Sequence, residues 1–167
     1  DWSSDVCSSD LKLYEGVIES NFSLHGIPCK VQTCCSFENE TIAIIVDSEL
    51  IRDGSLSVII NFPYGAMDIT ASDWNSPDKH ETNINQIKKT QFFIERILDR
   101  NQYYVGLQTG ENIKINIENK HKIIINGDLD NHLELSVAFA KEKLTDTLTV
   151  EKIVTSSVDG WKNFWEN

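Results

Sequence analysis

Short apolar runs separated by turn residues recur between residues 12 and 140, and this pattern constrains the fold more than any other feature of the sequence. Two of the runs, 113–117 and 133–139, alternate apolar with other side chains at a period of two. That period is typical of a strand with one buried face. The runs 41–46 and 56–62 are rich in β-branched residues and too short for typical helices. Together the runs predict a mainly β fold of two stacked antiparallel sheets.

The segments between the runs carry residues that favour tight turns. His25 and Gly26 separate two strand-like stretches, and the glycine supplies a positive φ at low cost, so we predict a hairpin there. Pro28 favours an edge position or the start of a strand, because proline has no N–H to donate to a sheet. A second hairpin is predicted around 99–102, and the segment 52–54 carries the turn residues Asp and Gly.

The stretch from about residue 65 to residue 90 interrupts this rhythm. Long connections without strands are uncommon in compact domains unless they carry a function. Within this one, Asp73, Trp74 and His80 combine an aromatic face with hydrogen-bonding groups, which is chemistry that binds sugar rings and hydroxyls. We therefore predict a ligand-contacting loop, with Tyr64 as a further candidate. Two other interpretations stay open: a disordered insertion, or a Trp74 that merely anchors the loop to its own sheet.

The C-terminal segment changes from strand to helix periodicity. Apolar residues recur three and four positions apart, which predicts an amphipathic helix that Thr147 or Thr149 can cap. Trp161, Phe164 and Trp165 form an aromatic stripe on this helix, and such a stripe requires a partner surface. Because the sequence stops directly after the stripe, we expect that surface to lie in a following domain that is not part of this sequence.

Residues 1–11 resemble a sequencing artefact rather than a protein segment. Their sequence, DWSSDVCSSDL, matches codon by codon the in-frame translation of a common sequencing-library adapter. We therefore set the segment aside as non-native, against the alternative of a natural loop rich in serine and aspartate. The remaining chain is still acidic. We expect the natural protein to begin before this point, together with any leader segment.

Composition and motif content exclude several function classes. The formal net charge of −11 repels phosphate backbones and argues against a nucleic-acid partner. No apolar run approaches the roughly 20 residues of a membrane span, so no membrane partner is predicted. Cys29, Cys34 and Cys35 lack the spacing of a disulfide framework or a zinc site, and we interpret them as small residues that fill a strand. We predict no cofactor and no metal, and interpret the four scattered histidines mainly as turn and surface residues.

No residue of this chain is assigned a catalytic role. The motifs of common nucleophiles, phosphate loops and zinc proteases are absent. Glycoside hydrolysis uses two carboxyl groups that flank the scissile bond, and 26 acidic residues make a chance pair easy to find. None of these acids has a distinctive apolar or aromatic setting in the sequence except Asp73, which precedes Trp74.

Several segments carry a resemblance to a known family: 14–22, 25–28, 41–48, 62–65, the loop 71–80 and the Trp-Lys-Asn-Phe-Trp motif at 161–165. Together they resemble the N-terminal β-supersandwich of bacterial six-hairpin glycosidases, the (α/α)6-barrel enzymes related to glycoside hydrolase families 65 and 95. The first strands of a complete supersandwich have no counterpart here. In that family a helix with a Trp-x-x-Phe-Trp type motif links the sandwich to the barrel, which carries the catalytic acid. The resemblance thus implies a glycosidase context and no catalytic residue in this chain.

The sequence therefore predicts an incomplete β-sandwich accessory domain at 12–145 and, at 146–167, a helix that links it to a missing catalytic barrel. Its expected partners are carbohydrate and that barrel. The barrel is expected to pack against Trp161, Phe164 and Trp165. Two alternatives stay open. One is a stand-alone carbohydrate-binding module with a flat platform of exposed aromatic residues, for which the sequence offers Trp74, Tyr64, Tyr103 and Tyr104. The other is a self-contained enzyme with a pair of acids in a pocket. An unpartnered aromatic helix favours the accessory domain, and an enclosed one favours the stand-alone module. The compartment is open, with a secreted or periplasmic location as the expectation.

Overall fold

The structure is a computed structural model that describes residues 7–127 and 129–167, and most of these residues form strands. The strands are β1 (Ser8–Lys12), β2 (Val17–Leu24), β3 (Ile27–Cys35), β4 (Thr41–Asp47), β5 (Ser57–Asn61), β6 (Tyr64–Gly65), β7 (Ser72–Asp73), β8 (His80–Lys88), β9 (Gln91–Leu98), β10 (Asn101–Thr109), β11 (Ile113–Asn119), β12 (Lys122–Gly127) and β13 (His132–Ala140). A short helix, α1 (Glu49–Arg52), precedes β5, a 3-10 turn (Pro77–Lys79) precedes β8, and a longer helix, α2 (Val150–Glu166), follows β13.

The strands form two main antiparallel sheets. The large sheet has eight strands in the order β1-β2-β3-β4-β13-β10-β9-β8, and the small sheet has the order β11-β12-β5. Strand β13 joins the two halves of the large sheet, because it pairs with β4 on one side and with β10 on the other. The prediction of a mainly β, antiparallel, sandwich-like fold with a C-terminal helix is confirmed.

The main apolar core lies between the two sheets. Its fully buried side chains include Ile94 of β9, Leu107 of β10, Ile125 of β12 and Leu135 of β13. Ile51 of α1 closes the same core. The alternation seen in the run 133–139 places Leu133, Leu135 and Val137 on this face, as a period of two requires. Burial of these apolar surfaces is the dominant favourable term for such a sandwich.

The opposite face of the large sheet is covered by α2 and the segment that leads to it. Val150 and Ile153 of the helix pack against Val17, Cys34 and Ala43 of strands β2, β3 and β4. The hydroxyl of Ser136 in β13 donates to the carbonyl of Leu148 at 2.6 Å and ties that segment to the sheet. The molecule therefore has three layers: small sheet, large sheet and helix.

Several local predictions are confirmed. His25 and Gly26 form the turn between β2 and β3 with φ values of 52° and 76°, the pair of positive values that a two-residue hairpin turn needs. Asp99 and Arg100 separate β9 from β10. Cys29 and Cys34 are buried in β3, as expected for small residues that fill a strand.

One local prediction is wrong. The stretch 65–90 was expected to lack a strand, yet its last part is β8, which forms the edge of the large sheet beside β9. Only His80 and Thr82 of this strand are buried, and its mostly polar sequence follows from an exposed face and an unpaired edge. The predicted turn at 52–54 is present, since Asp53 and Gly54 turn the chain directly after α1, whose N-cap is Ser48.

The segment that was set aside as adapter-derived contributes the other edge of the large sheet. Ser8–Lys12 pairs with β2 from Ser8 opposite Asn21 to Lys12 opposite Val17. Every residue of β1 is exposed, because edge pairing uses backbone groups and asks little of the side chains. Residues 1–6 of that segment lie outside the described residues. Neither helix in the described part of the chain is long and apolar enough to cross a membrane.

A substitution at Gly160 tests how closely α2 packs against Phe37. A Cβ atom at this position would overlap the ring of Phe37 and lie 2.5 Å from the Phe37 Cβ. Alanine stabilises an isolated helix by about 1 kcal/mol over glycine, but here Gly160→Ala forces Phe37 and its loop to move. We expect a net destabilisation of about 1–2 kcal/mol in urea denaturation. Asn163→Ala, on the exposed side of the same helix, is the control and changes stability by no more than about 0.5 kcal/mol. A Gly160→Ala variant that is more stable than the original protein would contradict this close packing of Gly160 against Phe37.

Candidate functional site

A cavity of about 340 Å³ lies beside the start of β8 and combines apolar walls with polar groups from several elements. We call it the histidine pocket. Its lining residues are Asn61, Phe62, Pro63, Asp73, Trp74, Pro77, His80, Asn119, Lys120 and His121. They come from the end of β5, the strand β7, the 3-10 turn, the start of β8 and the turn between β11 and β12. The volume is near the lower end of the range for small-molecule sites, about 300–1,000 Å³.

Local turn chemistry places the predicted loop residues at this pocket. Tyr64 and Asp73 are directly opposite each other in the β6–β7 ribbon. Asp73 Oδ1 accepts a hydrogen bond from the Asn75 backbone N–H at 2.9 Å, which turns the chain at Trp74. Trp74 is 56% exposed, so its ring is available to a ligand. The 3-10 turn follows and leads directly to His80 at the start of β8.

His80 is the most unusual group in the pocket. It is only 4% exposed, and its ring stacks on His121 with centroids 3.8 Å apart and planes 19° apart. Among the described residues no hydrogen-bond partner reaches the buried Nδ1 atom of His80. Burial, followed by the positive charges of neighbouring groups, lowers the pKa of His80 to about 4. The ring is therefore neutral at physiological pH and leaves one buried nitrogen unpartnered, which is rare in native proteins.

His121 is fixed by hydrogen bonds on both ring nitrogens. Its Nε2 lies 2.8 Å from the Pro77 carbonyl, which can only accept, so Nε2 carries the proton. Nδ1 lies 2.5 Å from the Thr82 hydroxyl, which can donate to it. Thr82 in turn accepts from Arg96 Nη1. The chain of bonds holds the ring on which His80 stacks and anchors the 3-10 turn.

Arg96 lies behind the wall of the pocket. Its side chain is fully buried, and it donates to the carbonyls of Glu81 at 2.9 Å and Pro63 at 3.2 Å. Its guanidinium also lies 4.9 Å from the ring centroid of Phe62, a residue of the pocket wall. One side chain thus connects β9, β8 and the segment after β5, and so sets the shape of the pocket.

Tyr64 lies behind the pocket wall rather than in it. Its ring centroid is 5.9 Å from that of His80, and its hydroxyl donates to Asp99 Oδ1 at 2.8 Å. Lys79 Nζ lies 5.4 Å from the Tyr64 ring centroid and 4.0 Å from Asp73 Oδ2. Hydrogen bonds from Ser76 and the Asn75 backbone lower the pKa of Asp73, so its carboxylate stays ionised. Among the lining residues that the structure describes, Asp73 is the one carboxylate.

The structure brings three of the four predicted rim residues, Asp73, Trp74 and His80, to one pocket, with Tyr64 directly behind. Sequence reasoning missed His121, which it interpreted as a turn or surface residue, and Arg96. The surface interpretation is also wrong for His80, because both rings are buried. A signal for Arg96 was present: the period of two places it on the same face of β9 as the core residues Phe92 and Ile94.

The predicted aromatic stripe lies at the other edge of the large sheet. We call the group Tyr14, Phe37, Trp161, Phe164 and Trp165 the aromatic cap. Within it, Trp161 is partly buried edge-to-face against Phe37 at 5.8 Å, and Trp165 lies 5.7 Å from Tyr14. Phe164 and Trp165 are still 58% and 41% exposed. The stripe is therefore half covered by its own chain, and its packing against a further domain stays a prediction.

A larger groove of about 790 Å³ runs along α2 between Phe37 and Phe164. Most of its polar lining is open to solvent, and none of it is a buried group without a partner among the described residues. The smaller histidine pocket is therefore the better candidate for a specific ligand, because it has a polar atom whose partner is missing.

No model of a protein family matches this sequence. No curated protein matches it at a significant level. The family resemblance of the sequence segments therefore stays an expectation, and the function is inferred from the side chains of the histidine pocket.

His80→Phe tests whether Nδ1 is unpartnered. The phenyl ring keeps the stacking on His121 but removes the buried nitrogen, whose desolvation costs about 1–3 kcal/mol. We expect the variant to be about 1 kcal/mol more stable than the original at pH 7 in urea denaturation. His121→Phe is the matched contrast, because it breaks two hydrogen bonds, and it lowers stability by about 2 kcal/mol or more. Equal losses in both variants would contradict the assignment.

The same variant tests the lowered pKa of His80. In the unfolded chain this histidine takes up a proton near pH 6.5, whereas in the folded protein it does so only near pH 4. Folding stability must therefore fall as the pH drops from 6.5 towards 4. Between pH 7 and pH 5 the original protein is expected to lose up to about 2 kcal/mol more than His80→Phe. Parallel pH profiles for the two proteins would show that the folded pKa of His80 is not lowered.

Proposed function

We propose that this chain is a non-catalytic carbohydrate-binding accessory domain of a glycoside hydrolase, and that the histidine pocket holds a sugar. The observation that carries the proposal is the pairing of the buried, unpartnered Nδ1 of His80 with the exposed ring of Trp74 at the same cavity. A hydroxyl can satisfy that nitrogen, and an indole face is a common platform for a sugar ring.

The remaining polar groups of the pocket suit a polyol. The Asp73 carboxylate accepts hydrogen bonds, and the exposed amides of Asn61 and Asn119 both donate and accept. Sugar hydroxyls need partners of both kinds around one ring. The apolar side of such a ring is matched by Trp74 and Pro77.

The aromatic cap supports the accessory role. Phe164 and Trp165 leave large aromatic surfaces exposed at one edge of the sheet, next to exposed Leu13 and Tyr14. Contiguous apolar surface of this kind marks an interaction site. In the proposed arrangement the cap packs against the catalytic barrel, where the bond is cleaved, while the pocket at the opposite sheet edge contacts the substrate.

A stand-alone binding module is the second candidate function. Its flat platform was expected to include Tyr103 and Tyr104 beside Trp74 and Tyr64. Instead Tyr103 packs on the core, and the hydroxyl of Tyr104 accepts a bond from Gln102. A pocket that binds one sugar unit therefore suits this chain better than a platform for a long polysaccharide surface.

Trp74→Ala tests the proposed sugar site. We expect the original protein to bind at least one member of a panel of neutral and acidic oligosaccharides in isothermal titration calorimetry. Removal of the indole is expected to weaken that binding at least about tenfold, or 1.4 kcal/mol.

Trp165→Ala is the matched control for that experiment. It removes the same side chain from the aromatic cap, at the opposite edge of the sheet, and leaves sugar affinity unchanged. Equal affinities of Trp74→Ala and the original protein would overturn the pocket assignment. The absence of binding to every oligosaccharide of the panel would overturn the carbohydrate function itself.

A further inference from the structure

The charge of Arg96 is buried without an acidic partner. The side chain is fully buried, and within the described part of the chain no carboxylate lies within ion-pair distance of it. Its acceptors among the described residues are all neutral: the carbonyls of Glu81 and Pro63 and the hydroxyls of Thr82 and Tyr103. An arginine cannot give up its proton in a protein, and a buried charge is normally paired.

This charge lies directly behind the wall of the histidine pocket. Two of its contacts, Phe62 and Pro63, are themselves wall residues. A third contact, Thr82, bonds to the wall residue His121. Because the intervening material is protein rather than water, the charge is screened weakly and is felt inside the cavity.

The rim adds further positive charge. Lys120 lines the cavity. Its Nζ atom lies 3.9 Å from Oδ1 of Asp78, whose side chain is 98% exposed. Lys79 offsets the ionised Asp73. Arg96 and Lys120 both lower the pKa of His80 more strongly than Asp73 raises it. Arg96 is therefore the one charge of this region that no carboxylate of the described residues offsets.

We propose that the ligand of the histidine pocket is an acidic sugar, a sugar ring that carries a carboxylate. This inference rests on the proposed carbohydrate-binding function and names the class of sugar. The carboxylate accepts from the Nδ1–H of neutral His80 and from Lys120, and it supplies the negative charge that Arg96 lacks. The ring stacks on Trp74, and its hydroxyls donate to Asp73, which stays available as an acceptor.

The test compares three small ligands by isothermal titration calorimetry at low ionic strength. Methyl β-glucuronide carries a carboxylate at the position where methyl β-glucoside carries a hydroxymethyl group, and the two are otherwise the same. Acetate has the carboxylate without the ring. We expect the glucuronide to bind about tenfold more tightly than either of the others. Lys120→Gln is expected to reduce that preference to about threefold.

Lys89→Gln is the matched control. It removes the same charge from the far end of the β8–β9 hairpin and leaves the preference unchanged. Equal affinity for glucuronide and glucoside would overturn the inference and leave the proposed function intact. Acetate that binds as tightly as the glucuronide would reveal a plain anion site and overturn the inference as well. If no oligosaccharide of the panel binds either, the proposed function fails together with it.

Discussion

The buried guanidinium of Arg96 holds together the parts of the molecule on which the candidate site depends. It joins β9 to β8 and to the segment after β5, and through Thr82 it fixes His121 and the turn at Pro77. Each of these pieces belongs to a different stretch of sequence. The shared donor therefore supports the ring of His121, whose bond to the Pro77 carbonyl holds the loop that carries Trp74 against the small sheet.

The pocket also shows a conflict between stability and binding. His80 is buried, yet its Nδ1 has no partner in the described part of the chain and its proton affinity is reduced by burial. In the same small region, Arg96 carries a charge that no carboxylate of residues 7–127 and 129–167 pairs with. Both features cost folding free energy, and such costs are typical of sites that are complete only when a ligand is present. The large core between the sheets provides the stability that lets the chain tolerate them.

Trp74 and the aromatic cap lie at opposite edges of the large sheet. Trp74 is near β8, and the aromatic cap is near β1 and β2. One edge can therefore hold a small ligand while the other packs against a further domain. This separation is what makes the accessory-domain proposal compatible with the half-covered helix.

The sequence by itself determined the elements whose apolar residues recur at a regular spacing or whose turn needs a particular backbone angle. The alternation at 113–117 and 133–139, the His25–Gly26 turn and the helical spacing at the C-terminus were all readable, because each reflects one buried face or one backbone angle. Edge strands β1 and β8 were not, since an edge strand has little buried surface and so has no apolar pattern to read.

The sequence also singled out Asp73, Trp74 and His80 as a group, because they lie close together along the chain. Only the tertiary structure decided that His121 stacks on His80 and that Arg96 lies behind both. These residues come from three separate strands or turns, and their meeting depends on the strand order of the sheet. A single sequence carries no such information, since local patterns report burial and turn type but not which distant segment supplies the neighbour.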